Sequence, residues 1–589
     1  MAEIRYWKRI SQKSIFWGIA HLVRVCQAAG LPTGVAGESG QGQFFRPAFV
    51  VPVFLLLSFF FLALSSARHL SATYDEPLHI ASGVVHWRYG DTMLDPANPP
   101  LLGDWFTLPL LPLNLRLPPG GRQGYEGHRY TFAFRFLHDN SVSVGRLLFL
   151  TRFMNVLLGV VLGCLLWRWV SHRLGTTAAV AALIAYSFCP MLLAHGALAT
   201  CDIGFSFAAL LCGYTAWRWT RDPAPSTALG VGISLGMALA AKYSAILLIP
   251  LFAVTVGLQR TIETFETRSL RQWWLQGVLF VASVWGVLAL CYRGWGWPSY
   301  LAGWQALLPY VREGHLNFFW SHYSDRGWIA YFWTAFLLKT PLPFLFLCLI
   351  GLFLVVRRGD DPACRFALLW GLFPALGYLT VVSFSSIQVG LRHALVVYPW
   401  FCIWIGWVVQ ALWSSRRRMA RIGVIALGFW YVAVTLLFYP RYLSYFNELA
   451  GGAAGGSRYF LDSNLDWGQG LKALGTYLQK ETVAGSIYLS YFGCADPRAY
   501  GIRYVPLAMT SCTELAGEPQ ADPSQEKQIL LAISETNLGG VYYQPHDVFR
   551  WLNQRQPVRV LLDSIRIYDI TQDADAQKRL KALQKSQNL

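Results

Sequence analysis

Long apolar runs recur along the first three quarters of this sequence, and they constrain the fold more than any other feature. A run of roughly 18 or more apolar residues is long enough to cross a lipid bilayer as a helix. Of the 589 residues, 54% are hydrophobic and only 14% are charged, which is not the composition of a soluble protein. The sequence therefore predicts a polytopic α-helical membrane protein.

The apolar runs predict about eleven spans, at 47–66, 147–167, 177–195, 203–218, 226–241, 243–258, 274–292, 332–355, 366–383, 394–413 and 421–438. The fifth and sixth spans share one apolar run, residues 226–258, with arginines on both sides. The positive-inside rule places both flanks in the cytoplasm, so the run must turn back on itself. Lys242, its one charged residue, marks the turn. The same rule places the N-terminus inside and the C-terminus outside.

This topology divides the chain into three parts. Residues 1–46 are basic and lack a signal-peptide cleavage pattern, which predicts a cytoplasmic lead-in. Residues 47–439 form the transmembrane domain, with a long extracytoplasmic loop at 67–146. In residues 440–589 the runs SIYLSYFG, QILLAIS and SIRIYDI predict short buried strands, and DWGQGLKALGTYLQK and HDVFRWLNQ predict helices. Together these elements predict a small extracytoplasmic α/β domain.

Charge and cysteine usage fit this arrangement. The net charge of +17 lies in short clusters between apolar runs, which indicates membrane orientation and not a nucleic-acid partner. Cys494 and Cys512 lie in the polar tail, where an oxidising compartment permits a disulfide. Their spacing leaves open whether the geometry allows one.

Two adjacent carboxylates, Asp75 and Glu76, follow the first apolar run at the predicted outer face. One interpretation is helix capping, with Asp75 at the N-cap and Pro77 in the first turn. The other is acid–base chemistry, in which a carboxylate takes the proton of a weakly nucleophilic hydroxyl. The two interpretations are compatible, and both remain open.

Most other unusual polar residues reach the same face. An intramembrane charge such as Lys242 is a functional hypothesis by default, with snorkelling to the interface as the alternative. For Arg152 the alternative is a helix-end anchor or a partner for a loop acid. Asp202 begins a span and either caps its helix or binds a substrate hydroxyl.

Several ordered motifs carry a family resemblance: YDEPLHIASG, LDPANPPLLGDW, TRFMNVLLGVVLG, ALAAKYSAILLIP, GWIAYFWTAFLLKTPLP, VGLRHALVVYP and FLDSNLDWGQGLKAL. Together they resemble the membrane-embedded GT-C glycosyltransferases of family 39, which include protein O-mannosyltransferases and the lipid A aminoarabinose transferase. The resemblance covers most of the chain. It implies transfer of a hexosyl or mannosyl-type sugar, with inversion, from a polyprenyl-phosphate carrier to an acceptor hydroxyl. It also implies the outer face of a bacterial inner membrane.

The resemblance suggests roles for individual residues. Asp75 is the candidate base, and Glu76 is expected to orient Asp75 or the acceptor. Fixed cations should stabilise the departing lipid phosphate, and the candidates are Arg152, Lys242 and Arg392. The candidates for substrate contact are Asp95, Asn98, Asp202 and His315. The acceptor, whether protein, lipid or glycan, is left open.

Neither a metal nor a cofactor is expected. Residues 1–439 lack the separated DxD motif of metal-dependent relatives, and the spacing of His315, His322 and Asp325 is not a specific ligand pattern. In the tail, Asp462 and Ser463 are expected to cap a helix. A sharper hypothesis has Asp466, Trp467 and Tyr491 contact an acceptor sugar.

Two other functions are compatible with such a chain. A transporter or flippase for a lipid-linked sugar would also have many spans, but it should show two corresponding halves with interrupted helices. The sequence shows no such repeat. A noncatalytic glycan-binding protein with the same fold stays open.

Overall fold

The structure, a computed structural model, describes residues 47–119, 128–262, 269–294, 296–483, 485–507, 510–511 and 527–587. The predicted lead-in, 1–46, and Cys512 lie outside the described residues. Cys494 is disulfide-bonded.

The membrane domain is helical. Its helices are, in chain order, α1 (Pro47–Ala67), α2 (Glu76–Tyr89), α3 (Pro100–Thr107), α4 (Arg129–His138), α5 (Val144–Leu174), α6 (Thr176–Ser187), α7 (Pro190–Gly196), α8 (Cys201–Arg221), α9 (Pro225–Ala241), α10 (Leu248–Ile262), α11 (Leu270–Cys291), α12 (Gly296–Glu313), α13 (Ala330–Lys339), α14 (Leu342–Arg358), α15 (Pro362–Ala367), α16 (Phe373–Val382), α17 (Val397–Trp413) and α18 (Arg418–Leu437).

The chain is an integral membrane protein, but the count of eleven spans is not confirmed. Among the described residues, six helical segments are long and apolar enough to cross a membrane. The number rises to eight if two bent pairs each count as one span: α6 with α7, bent by 60°, and α13 with α14, bent by 115°. Prolines explain both bends, because Pro190 and Pro341 lack the amide proton that would continue the helix. Each of the eleven predicted segments nevertheless falls on helix.

The helix breaks at Lys242, where the sequence predicts a turn. Helix α9 ends at Ala241, and Lys242 adopts an extended backbone with φ −159° and ψ 138°. A short 3-10 turn, Tyr243–Leu247, then leads into α10. The break places an ammonium group between two apolar helices.

Helices α5 and α17 form the centre of the membrane domain. Helix α17 is buried along almost its whole length and packs against α6, α14 and α18. Three of its tryptophans, Trp400, Trp404 and Trp407, are fully buried. A rigid, aromatic-rich centre of this kind fixes the helix ends that carry the polar residues described below.

The tail forms the predicted α/β domain. The strands of the chain are β1 (Asn317–Phe319), β2 (His322–Ser324), β3 (Ile487–Ser490), β4 (Phe492–Gly493), β5 (Tyr504–Pro506), β6 (Thr510–Ser511), β7 (Leu530–Ser534), β8 (Arg559–Leu561) and β9 (Ile565–Asp569). The five-stranded sheet of the tail has the order β5-β3-β7-β9-β8, in which β3 pairs in parallel with β5 and β7, and β9 pairs antiparallel with β7 and β8. The helices of the tail are α19 (Gly452–Gly456), α20 (Leu471–Lys480), α21 (Glu535–Leu538) and α22 (Ala574–Gln587).

The expected strands around residues 487, 530 and 565 are confirmed, as is the helix at 471–480. The segment 550–554, predicted as part of a helix, is a single 3-10 turn.

Candidate active site

The loop between α1 and α2 is joined to the tail by backbone hydrogen bonds. The amide of Ser71 donates to the carbonyl of Gln469 at 3.1 Å, and the amide of Tyr74 donates to the carbonyl of Trp467 at 3.0 Å. The Ser71 hydroxyl donates to the Gly468 carbonyl at 2.8 Å. The tail therefore holds the segment that leads directly into the two predicted catalytic acids.

Asp75 stands at the N-cap position of α2, but its side chain makes no capping hydrogen bond. The carboxylate instead accepts a hydrogen bond from Arg392 Nη2 at 2.9 Å. Both side chains retain some solvent exposure, 20% for Asp75 and 13% for Arg392. Asp75 is thus a paired carboxylate that faces an accessible space, and the expected side-chain cap is absent at this position.

Glu76 points the other way, into the protein, and is completely buried. Arg152 donates to both of its oxygens, from Nε to Oε1 at 2.8 Å and from Nη2 to Oε2 at 2.6 Å. The Ala199 amide donates to Oε1, and both the amide and the hydroxyl of Thr73 donate to Oε2. Burial acts to raise the pKa of Glu76, but Arg152 and these donors lower it below its usual value.

Arg152 has no N–H left for a ligand. A guanidinium carries five N–H donors. Two donate to Glu76, and the others donate to the carbonyls of Ala67, Leu70 and Ser71 at 2.7 to 3.1 Å. The side chain is only 2% exposed. This geometry matches the alternative of a partner for a loop acid, and it leaves no donor for the phosphate contact expected from the sequence.

Arg392 is placed differently. It lies on a 3-10 turn, Leu391–Ala394, just before α17. Its Nε donates to the Ser463 hydroxyl at 3.2 Å, and its guanidinium carbon lies 4.2 Å from the ring centre of Trp467. Its Nη1 group has no hydrogen-bond partner in the part of the chain that the structure describes. Arg392 is therefore held in place, while its Nη1 group stays available to a ligand.

Lys242 and Asp202 form a second ion pair, with Nζ 2.7 Å from Oδ1. Asp202 does not cap its helix, because the N-cap position belongs to Thr200. Its Oδ2 and both ring nitrogens of His195 lack hydrogen-bond partners among the described residues, although all are buried. His195 Nδ1 lies 3.9 Å from that oxygen. Buried polar groups normally find partners, so these atoms indicate room for a polar ligand or water.

The two ion pairs belong to one electrostatic cluster. Burial acts against the charge of Arg392, but Asp75, Asp202 and Asp462 raise its pKa above its usual value. Asp202 interacts with Lys242 and Arg392 together. The structure thus brings together Asp75, Arg392, Asp202 and Lys242, four of the residues predicted from sequence.

Asp95 and Asn98 lie near this cluster but are hydrogen-bonded to each other. Asp95 accepts hydrogen bonds from Nδ1 of His79 at 2.8 Å and from the Asn98 amide at 3.1 and 3.2 Å. Burial acts to lower the pKa of His79, and Asp95 and Asp75 together raise it. Asp95 therefore fixes the first turn of α2 beneath Asp75.

His315 lies on the tail side of this cluster. Its Nδ1 is 2.9 Å from the Leu316 carbonyl, and its ring centre is 6.0 Å from that of Tyr542. Tyr542 donates a hydrogen bond to Asp462. Among the described residues, no three His, Cys, Asp or Glu side chains form a group that could hold a metal ion.

The capping expected from Asp462 and Ser463 is not observed. They lie in a 3-10 turn, Asp462–Asn464, and the N-cap of α20 is Gly470. Ser463 instead donates to the Val389 carbonyl at 2.8 Å while accepting from Arg392. The DSN turn is therefore a support for Arg392.

Asp466, Trp467 and Tyr491 are buried supports as well. Asp466 accepts a hydrogen bond from the amide of Thr536 at 3.1 Å, and burial raises the pKa of Asp466 to about 8. Tyr491 donates to the Gly468 carbonyl at 2.8 Å. Sequence inspection missed that Trp467 packs on Arg392; the only available signal was the Gly-rich DWGQG motif.

Residues 135–288, about a quarter of the chain, match the sequence model of the family described as dolichyl-phosphate-mannose-protein mannosyltransferase. The resemblance to GT-C glycosyltransferases is confirmed over this segment. The match over this segment supports the predicted class, a membrane-bound glycosyltransferase. The matched segment contains Arg152, Asp202 and Lys242, whereas Asp75 and Arg392 lie outside it.

Two solved structures are similar to the chain. The crystal structure of ArnT from Cupriavidus metallidurans in the apo state is 12% identical, with a TM-score of 0.43, and the match covers 88% of this chain and 97% of that one. The crystal structure of ArnT from the same organism bound to undecaprenyl phosphate is 14% identical, with a TM-score of 0.42 and the same coverage. Similarity at this level carries no argument about individual residues. A comparison with curated proteins finds no match.

Proposed function

We propose that this protein is an inverting glycosyltransferase that moves a sugar from a polyprenyl-phosphate carrier to an acceptor hydroxyl. The observation that carries the proposal is the Asp75–Arg392 pair, 2.9 Å apart and partly open to solvent. The pair combines a carboxylate, which can accept a proton, with a cation suited to a phosphate. The family match over 135–288 supports a lipid-phosphate sugar donor and, more specifically, a hexose of the mannose type.

In the proposed reaction Asp75 is the general base. Its carboxylate takes the proton from the acceptor hydroxyl as the oxygen attacks the anomeric carbon. The bond between that carbon and the phosphate oxygen breaks, and its electron pair leaves with the lipid phosphate. Positive charge develops at the sugar in an oxocarbenium-like transition state.

The departing phosphate is received by Arg392 and Lys242. Arg392 keeps an unpaired Nη1 group among the described residues, and Lys242 Nζ uses only one hydrogen bond, to Asp202. Preorganised cations stabilise charge that develops in the transition state. Arg152 is left out of this set because Glu76 and three carbonyls take all its donors.

Glu76 and Arg152 act on Asp75 through the backbone. Their pair fixes the first residue of α2, next to Asp75, and the carbonyls of the preceding loop. Asp202, through its unpartnered Oδ2, is proposed to contact a sugar hydroxyl. Asp95, Asn98 and His315 stay candidates for contacts at the edge of the substrate.

We place the reaction on the outer face of a bacterial inner membrane, with the N-terminus cytoplasmic and the C-terminus extracytoplasmic. The alternative function is a flippase or transporter for the lipid-linked sugar. The clustering of Asp75, Arg392, Asp202 and Lys242 at one end of the helices favours the transferase, because a transporter site is expected near the midplane.

The test incubates detergent-solubilised protein with radiolabelled polyprenyl-phosphate sugars and an acceptor membrane extract. Asp75→Asn should transfer about 10²- to 10⁴-fold more slowly, the contribution of a general base. Asp139→Asn, the same change at an exposed acid of the same loop, is the matched control and should transfer normally. A flippase has no transport to perform in micelles, so absence of transfer by the wild-type protein would favour that alternative. Equal rates for Asp75→Asn and wild type would refute the base assignment.

A further inference from the structure

A basic cleft, distinct from the site above, lies where the membrane helices meet the tail. Its volume is about 500 Å³, and its lining includes His69, Pro440, Lys472, Lys480, Arg559 and Leu562. His69 follows the end of α1 and Pro440 follows the end of α18, both helices long enough to span a membrane. The two ends touch, because the Ser66 hydroxyl donates to the Pro440 carbonyl at 2.9 Å. The cleft therefore opens at the level where helices leave the bilayer.

The cleft carries an excess of positive charge. Lys472, Lys480 and Arg559 line it, and Glu481 is the one acid among its described lining residues. Lys480 and Arg559 are exposed and make no side-chain hydrogen bond or ion pair with any residue that the structure describes. Two free cations at the rim of a cavity are suited to a phosphate diester or a similar anion.

Apolar surface next to the cleft favours a lipid over a free anion as the ligand. Only about 11% of the apolar stretch of helix α18 is buried, so its sides are available to lipid. Leu436 and Leu437, at the end that reaches the cleft, are 50% and 78% exposed. On the cleft rim Val558 is 53% exposed. A lipid bound here through its phosphate would thus have a path for its acyl chains along α18.

We propose that the basic cleft binds the headgroup phosphate of an anionic phospholipid from the surrounding leaflet, with its acyl chains along α18. Lys480 and Arg559 contact the phosphate, and Lys472, whose ammonium group donates to the Arg68 carbonyl, lines the cleft beside them.

The loop that leads to Asp75 and Glu76 adjoins the cleft, because His69 is one of the residues that line it. Lys472 donates to the Arg68 carbonyl at 2.6 Å, and the next-door Leu471 amide donates to the Ser71 hydroxyl at 3.0 Å. The bound headgroup therefore lies against the segment that Arg152 also holds. This inference concerns lipid binding and stands whether or not the transferase proposal is correct.

The experiment measures phosphatidylglycerol binding to full-length protein by native mass spectrometry, in micelles that also contain phosphatidylcholine. Each cation near a lipid surface contributes about 1 kcal/mol. Lys480→Ala with Arg559→Ala should therefore weaken the apparent affinity about 30-fold, which corresponds to about 2 kcal/mol. Lys578→Ala with Lys581→Ala, an equal charge change on exposed positions of α22, is the matched control and should leave the affinity unchanged.

Three results would overturn the proposal. They are equal loss of binding in both double variants, no preference for phosphatidylglycerol over phosphatidylcholine in the wild type, and displacement of the lipid by millimolar inorganic phosphate, which would identify the cleft as a free-anion site. Circular dichroism and thermal melting check that both variants fold. If the cleft double variant does not purify, Lys480→Ala alone should show about a 5-fold loss.

Discussion

The buried Glu76–Arg152 pair allows a quantitative test, because both side chains are almost inaccessible and every bond they make is identified. Arg152→Met leaves the Glu76 carboxylate buried without its cation, which costs about 3–5 kcal/mol. It also removes donors from three backbone carbonyls, at about 1 kcal/mol each. Glu76→Gln leaves the Arg152 charge unpaired instead.

The double variant separates these contributions. Glu76→Gln with Arg152→Met has no buried charge, while the three carbonyls lack donors just as in Arg152→Met. The carbonyl cost therefore cancels in a double-mutant cycle, and the interaction energy reports the ion pair. We expect the double variant to be at least about 3 kcal/mol more stable than the sum of the two single changes predicts.

The assay is SDS titration of the free energy of unfolding in mixed micelles. An exposed pair, Arg365 with Asp360 at 3.2 Å, is the control, and its cycle should give below about 1 kcal/mol. Where Arg152→Met does not purify, Arg152→Gln, which also removes the charge, serves in its place. An interaction energy for Glu76–Arg152 no larger than that of the exposed pair would refute the argument.

Three further outcomes are expected. Asp75→Asn should bind polyprenyl phosphate at least as tightly as wild type while losing transfer, because Arg392 no longer has a competing carboxylate; weaker binding in equilibrium dialysis would count against this. Trp467→Leu removes the ring under Arg392, a contact of about 2 kcal/mol when desolvated, and should raise the donor KM about 30-fold, with Trp467→Phe milder. Asp466 has its pKa raised to about 8, so its contribution to stability is fully present below about pH 4 and is lost as pH rises through 8. Melting temperatures across that range should fall in wild type and stay flatter in Asp466→Asn.

The membrane architecture was largely predictable from sequence because it depends on local properties. Apolar length and flanking arginines indicated the helices and the break at Lys242, and the chain indeed leaves helical geometry there. The two bent helix pairs were predicted as single spans, although Pro190 and Pro341 signalled each bend. The number of crossings depends on how such bends sit in a bilayer, which local hydropathy does not encode.

The candidate site was predictable only as a set of residues, and not as pairs. Asp75 and Glu76 are neighbours in sequence, and their adjacency predicts that they act together. At the start of a helix, however, successive side chains point in different directions. Glu76 consequently pairs with Arg152 and Asp75 with Arg392, a partner more than 300 positions away. Contacts at that separation leave no trace in periodicity or spacing.

The resting pair of Asp75 and Arg392 gives the proposed mechanism an order. While the two are joined, the base is engaged by a cation and the cation by a carboxylate, so neither group is fully available. A lipid phosphate that enters beside Lys242 competes with Asp75 for Arg392. The guanidinium can turn its Nη groups toward the phosphate while Trp467 and Ser463 keep its plane in place. In the proposed mechanism, donor binding would then free the Asp75 carboxylate at the moment the sugar is in place for transfer to the acceptor. The same ion pair thereby links phosphate recognition to base activation.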